Sequence, residues 1–150
     1  MKGLQELRIS EKEGNSRKGG AYTLLIRVDS ECEIQIGKLG GFVFKPGLYI
    51  YTGSAINNIN ARIKRHKSEN KKIRWHIDYL LKEKDVHLIA YNKYYFHKEC
   101  NVNKRIKEIK CAKVLIKGFG SSDCKDGCES HLIYFNRCCY RYLIRNFPYK

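Results

Sequence analysis

Tyr22, Tyr51, Arg62 and His66 have the types and order that suit cutting a phosphodiester. A phenol accepts or relays a proton, a guanidinium forks onto phosphate oxygens, and an imidazole titrates near neutrality. Tyr22 follows Gly20-Ala21 and opens the apolar run Tyr22-Thr23-Leu24-Leu25-Ile26. Tyr51 lies in Tyr49-Ile50-Tyr51-Thr52-Gly53-Ser54-Ala55, and Arg62-Ile63-Lys64-Arg65-His66 comes shortly after. Tyrosines in such runs are most often sheet aromatics of the core. Convergence is what favours chemistry. Gly53 lets backbone approach a phosphate, Ser54 or Asn57 can cap the next helix, and a helix N-terminus attracts anions. Arg62 and His66 are four apart and share one helical face.

The charge points the same way. The chain carries 30 Lys and Arg against 15 acids, a formal +15. An excess of that size attracts polyanions and says nothing of fold. It is also uneven. Residues 1–55 hold eight cations against six acids, whereas residues 56–75 hold seven (Arg62, Lys64, Arg65, Lys67, Lys71, Lys72, Arg74) against Glu69 alone. The last fifteen residues add Arg137, Arg141, Arg145 and Lys150 with no acid. A nucleic acid drawn to Gly53, Ser54, Lys64, Arg65, Lys67, Lys71, Lys72 and Arg74 would lie beside the tyrosines.

These side chains need elements to position them. Tyr22–Val28 and Leu48–Thr52 read as core strands, and Val86–Phe96 as a third. Glu33–Lys38 and Phe42–Lys45 read as a hairpin around Leu39-Gly40-Gly41. Asn57–Lys67 reads as a helix, with Ile56, Ile59 and Ile63 at helical spacing. Arg74–Lys82 and Asn101–Ile109 read as further helices, the latter beginning a little earlier. Lys113–Lys117 is predicted as a short strand, Gly118–Ser130 as loop, Leu132–Tyr134 as a last strand, and the basic tail as helical. Met1–Arg8 reads as an edge strand or a mobile end. Glu11–Gly20 reads as a loop.

Seven cysteines, an odd number, with no apolar leader and no membrane-length run, predict reduced thiols in a cytoplasm. Cys124-x-x-x-Cys128-x-x-His131 offers zinc ligands, and Cys138 or Cys139 would have to complete the set. A loop of free thiols is the preferred reading.

Gly20-Ala21-Tyr22 resembles the GIY element, and Tyr51-Thr52-Gly53 the YIG element, of the GIY-YIG nuclease superfamily. Arg62-x-x-Arg65-His66 is similar to the helix that carries that superfamily's arginine. Arg74-Trp75-His76-Ile77-Asp78-Tyr79-Leu80-Leu81, with Gly118-Phe119-Gly120-Ser121-Ser122-Asp123-Cys124 and Ser130-His131-Leu132, resembles its small Uri-type endonuclease branch. Ala21 and Thr52 replace isoleucines at packing positions. The lysine that some members place near the site has no clear counterpart.

The resemblance implies an α/β (α+β) domain over residues 20–135, between an N-terminal extension (1–19) and a basic tail (136–150). Its core would be a three-stranded antiparallel sheet flanked by helices, with an extra hairpin. The implied activity is an endonuclease that cuts DNA, in repair or on mobile DNA, with one divalent cation, Mg²⁺ or Mn²⁺. Tyr22 would help activate water, Tyr51 position the phosphate, Arg62 stabilise the transition state and His66 assist with a proton. Glu99 would be the metal ligand, with Glu108 as the fallback. Asp123 and His131 would be polar residues on the substrate side. A catalytically idle nucleic-acid-binding module of the same fold is the alternative.

Overall fold

The computed structural model describes residues 18–122 and 124–146. The expected strand at Met1–Arg8, most of the Glu11–Gly20 loop, and Asp123 lie outside the described residues. Six strands and four α-helices follow in order: β1 (Gly20–Val28), β2 (Cys32–Ile36), β3 (Gly40–Phe44), β4 (Gly47–Ala55), α1 (Ile59–Lys67), α2 (His76–Leu81), β5 (Val86–Tyr95), α3 (Glu99–Lys107), β6 (Leu132–Phe135) and α4 (Tyr140–Asn146).

The main sheet is antiparallel in the order β5-β1-β4-β6, and β2 and β3 form the extra hairpin around a short 3₁₀ turn at Gly37–Leu39. The expected three strands are β5, β1 and β4. The short β6 adds a fourth at the β4 edge, where Tyr51 pairs with Leu132. Residues 113–117 form no strand. Only Lys113 pairs, in a single bridge to Tyr134, because β6 offers too little edge for a longer ladder.

Strand periodicity sorts β1 onto two faces. Tyr22, Leu24, Ile26 and Val28 pack with Ile59 and Ile63 of α1, Ile77 and Leu80 of α2, and the hairpin's Ile34, Ile36 and Phe44. Ala21 and Leu25 face Val102 and Ile106 of α3 and Leu143 of α4. The sheet is thus covered on both faces, which sets the length and apolar character of β1 and β4. Asn58, rather than Ser54 or Asn57, caps α1, its Oδ1 accepting from the Ala61 N–H at 3.0 Å.

Candidate active site

Tyr22 and Tyr51 lie on neighbouring strands and project to the α1 face, their rings 6.5 Å apart. Tyr22 stands opposite Gly53 in the β1–β4 register. A Cβ on residue 53 would lie 2.5 Å from the Tyr22 phenol oxygen, so the glycine makes room for the ring rather than contacting phosphate first. Gly20, at φ 147°, permits a second close approach, since a Cβ there would meet the Tyr94 carbonyl at 2.4 Å.

His66 comes up from α1 beneath both rings. Its Nε2 is 2.7 Å from the Tyr22 hydroxyl, and its ring centre is 6.3 Å from that of Tyr51. Tyr22 and His66 are 2% and 3% exposed. Burial pushes His66 down to about 4, with the nearby cations adding to it against the pull of Asp78, so the imidazole is neutral at pH 7. His66 Nδ1 has no hydrogen-bond partner among the described residues. Burial holds both phenols above their ordinary range. Glu99 raises both further and Arg62 lowers both, which puts the two opposite charges within electrostatic reach of the same pair of rings.

Arg62 and Arg65 are held by Trp75, their guanidinium carbons 4.3 and 4.1 Å from its ring centre. Their further fates differ. Arg65 forks onto Asp78 with two 2.9 Å contacts and also donates to the Lys72 carbonyl. Asp78 is fully buried and accepts from the Arg74 and Trp75 N–H groups, closing the start of α2. These bonds hold the Asp78 carboxyl below the usual carboxylate range against the cost of its burial. Arg65 is therefore a structural clamp, and it also walls the cleft beside Arg62. Lys71 is tied likewise, its Nζ donating to the His66 carbonyl at 2.7 Å near the end of α1. Arg62 forms no salt bridge among the described residues.

Two adjoining clefts of about 470 and 380 Å³ share Ala55 and the 90% exposed Ile56. The first is walled by Arg62, Arg65, Arg74 and Trp75, the second by Ser54, Lys98, Glu99 and Lys125. Lys64, Lys67 and Lys72 are exposed on and beyond α1, with Lys67 lying over the Tyr91 ring at 4.3 Å. Glu99 opens α3, whereas Glu108 ends it, about 13 Å away at 1.5 Å per residue. Glu108 is thus no alternative to Glu99 at this site.

A second constellation adjoins the Glu99 cleft. Cys100, Cys124, Cys128 and His131 bring their ligand atoms within 4.8 Å of one another and can hold a metal ion. The fourth member is Cys100, not the expected Cys138 or Cys139; Cys139 lies in the core on the α4 side. All seven cysteines are free.

Sequence reasoning missed two things. Trp75, His76 and Asp78 carried a recognisable signature, yet their roles were not legible from it. Trp75 stacks both arginines, Asp78 anchors one, and His76 Nδ1 accepts from the Gly120 N–H to dock the following loop. Cys100 gave no signal, because nothing in its own neighbourhood marks it as a partner of a loop far along the chain.

No helix among the described residues is long and apolar enough to cross a membrane. No curated protein and no solved structure matches the chain. A family model described as a domain of unknown function does match, over residues 21–147, and this includes the GIY-like tyrosine, the YIG-like tyrosine, Arg62, Glu99 and the cysteine cluster. The chain belongs to that family, DUF123, which is of the GIY-YIG-like, Uri-type kind.

Proposed function

We propose that the protein is a divalent-cation-dependent endonuclease that hydrolyses phosphodiester bonds in DNA. The observation that carries this reading is the 2.7 Å hydrogen bond between Tyr22 and a buried, neutral His66, beside a second phenol on which Arg62 and Glu99 both act. A phenol whose pKa is raised by burial is a poor base alone. With an imidazole acceptor behind it, it becomes a relay. In the tautomer with the proton on Nδ1, His66 Nε2 accepts the Tyr22 proton while the Tyr22 oxygen takes one from the attacking water. The new P–O bond forms as the bond to the leaving oxygen breaks, and that oxygen is protonated from solvent. Tyr51 orients the phosphate. Arg62, in no salt bridge among the described residues, meets the charge that builds on the phosphoryl oxygens.

Glu99 fits a hard cation. Its carboxylate oxygens are partly exposed at a cleft wall, and Mg²⁺ or Mn²⁺ keeps most of its water and tolerates sparse protein ligation. Bound there, such an ion would neutralise developing charge and lower the pKa of coordinated water. The neighbouring thiols do not suit Mg²⁺. Glu99 raises the pKa of both phenols, which supports the endonuclease reading over the idle binding module.

The test is a cleavage assay with Mg²⁺ or Mn²⁺ over single-stranded, duplex, flap and branched DNA, with matched RNA. Arg62→Ala should abolish cleavage, losing about 3–4 kcal/mol of transition-state stabilisation, while DNA binding stays nearly intact. Binding without cleavage of any substrate by the unaltered chain would sink the proposal and leave the binding module.

A further inference from the structure

The cluster of Cys100, Cys124, Cys128 and His131 takes no part in the proton relay, and it draws on three stretches of chain. Cys100 lies in the first turn of α3, Cys124 and Cys128 on the loop that follows Phe119, and His131 immediately before β6. Cys100 Sγ is 3.3 Å from Cys124 Sγ and 3.8 Å from His131 Nε2. A tetrahedral Zn²⁺ with bonds of about 2.3 Å to sulfur and about 2.0 Å to nitrogen sets its ligand atoms about 3.5–3.8 Å apart. A disulfide would need about 2.05 Å. Cys100 and His131 are buried and the other two are half-buried, so four protein donors close around one point.

The loop itself calls for such a centre. The described residues 118–122 and 124–131 are irregular, and the connection they form is long for one inside a compact domain. Their base is well tied. Gly118 N–H donates to the Glu129 carbonyl, His131 N–H to the Phe119 carbonyl, and Asn103 Nδ2 to the Ser130 carbonyl. Between these ties the chain runs through exposed Lys125, Asp126 and Gly127, with no apolar side chain to hold it.

We infer that Cys100, Cys124, Cys128 and His131 form a closed structural zinc site that pins the 118–131 loop to the first turn of α3. Three thiolates and one imidazole are soft and borderline donors that favour Zn²⁺, and a full set of four leaves no position open for catalysis. The thiols release their protons to solvent as the ion binds. Cys100 directly follows Glu99, and His131 turns its other nitrogen, Nδ1, toward Glu99 Oε2 at 3.8 Å. That distance is electrostatic rather than a hydrogen bond, and it sets a carboxylate behind the ligating imidazole. The zinc therefore holds the segment that presents Glu99. Only the functional weight of this last step rests on the endonuclease reading.

The experiment uses the full chain, purified and kept under reducing conditions. Elemental analysis should find one zinc per chain, as the cluster of four ligands requires. Replacement by Co²⁺ should give the intense visible bands of a tetrahedral centre with thiolate-to-cobalt charge transfer. Cys128→Ser should weaken metal binding at least tenfold, whereas Cys111→Ser and Cys138→Ser, at exposed cysteines outside the cluster, should keep it. Removing the metal should speed amide exchange across residues 118–131. Should Cys128→Ser fail to fold, the cobalt spectrum of the unaltered chain decides alone. A chain that takes up no zinc on reconstitution, a weak octahedral cobalt spectrum, an iron centre, or a Cys100–Cys124 disulfide in reduced protein would each overturn the site. None of these readouts depends on DNA cleavage, so failure here is separable from failure of the endonuclease proposal.

Discussion

At the scale of single residues, the tightest constraint is the Tyr22 ring over Gly53. A Cβ at 53 would lie 2.5 Å from both the phenol carbon and its oxygen, and Tyr22 cannot swing clear because it is buried. Gly53→Ala must therefore shift the hydroxyl away from His66. A displacement near 1 Å costs a reaction about a hundredfold, so single-turnover cleavage should fall by that much while DNA affinity holds. Unchanged cleavage would show that the Tyr22–His66 contact is not used. His66 yields a separate expectation. Its folded pKa is depressed from 6.5 to about 4. The unfolded chain therefore takes up a proton that the folded one refuses, and stability falls as pH drops through that window, then levels off. The loss approaches about 3 kcal/mol. In urea titrations from pH 7 to pH 4, His66→Gln should show a shallower decline than the unaltered protein. Parallel curves would mean that His66 is not buried neutral.

At the scale of elements, α2 contributes a brace rather than a ligand. It is a short helix, closed by the buried Asp78 on the Arg74 and Trp75 N–H groups and tied to α1 through Arg65. Asp78→Ala leaves Arg65 without its counter-charge and opens the helix start. Breaking a buried pair in this way typically costs about 3–5 kcal/mol, which a denaturation midpoint would register. A loss below about 1 kcal/mol would mean that the pair is effectively solvated. With its pKa depressed, Asp78 contributes stability above the usual carboxylate range, and that share is lost as pH falls through its folded value. This brace marks the limit of what the sequence could reveal. The strands that carry the tyrosines and the helix that carries Arg62 were legible because apolar runs along a strand and spacing along a helix are short-range patterns. The commitment of Arg65 to Asp78, of Lys71 to the His66 carbonyl, and of Cys100 to a distant loop were not. Each depends on which side chains tertiary packing brings face to face. Lys113–Lys117 failed for the opposite reason, since its local β character was real but the short β6 edge accepted only the single Lys113 bridge.

At the scale of the whole molecule, the +15 charge matters through the cations that remain available. Arg65 is neutralised by Asp78 and Lys71 is tied to a carbonyl, so the density of charge in residues 62–74 overstates what a polyanion meets. Lys64, Lys72 and Arg74 are exposed, and Arg74 lines the Arg62 cleft. Each phosphate contact adds about 0.9 to the slope of log affinity against log salt through counterion release. Replacing Lys64, Lys72 and Arg74 with alanine should therefore weaken DNA binding at low salt and flatten the slope by about 2–3. Lys71→Ala should leave the slope nearly unchanged, although a tally of charges along the chain would count it equally. Binding titrations across a salt series measure both. If Lys71→Ala flattens the slope as much as any one of the exposed cations, its Nζ leaves the His66 carbonyl for phosphate. If the triple variant leaves the slope intact, the nucleic acid approaches from another side, and the cleft beside Arg62 is not where it lies.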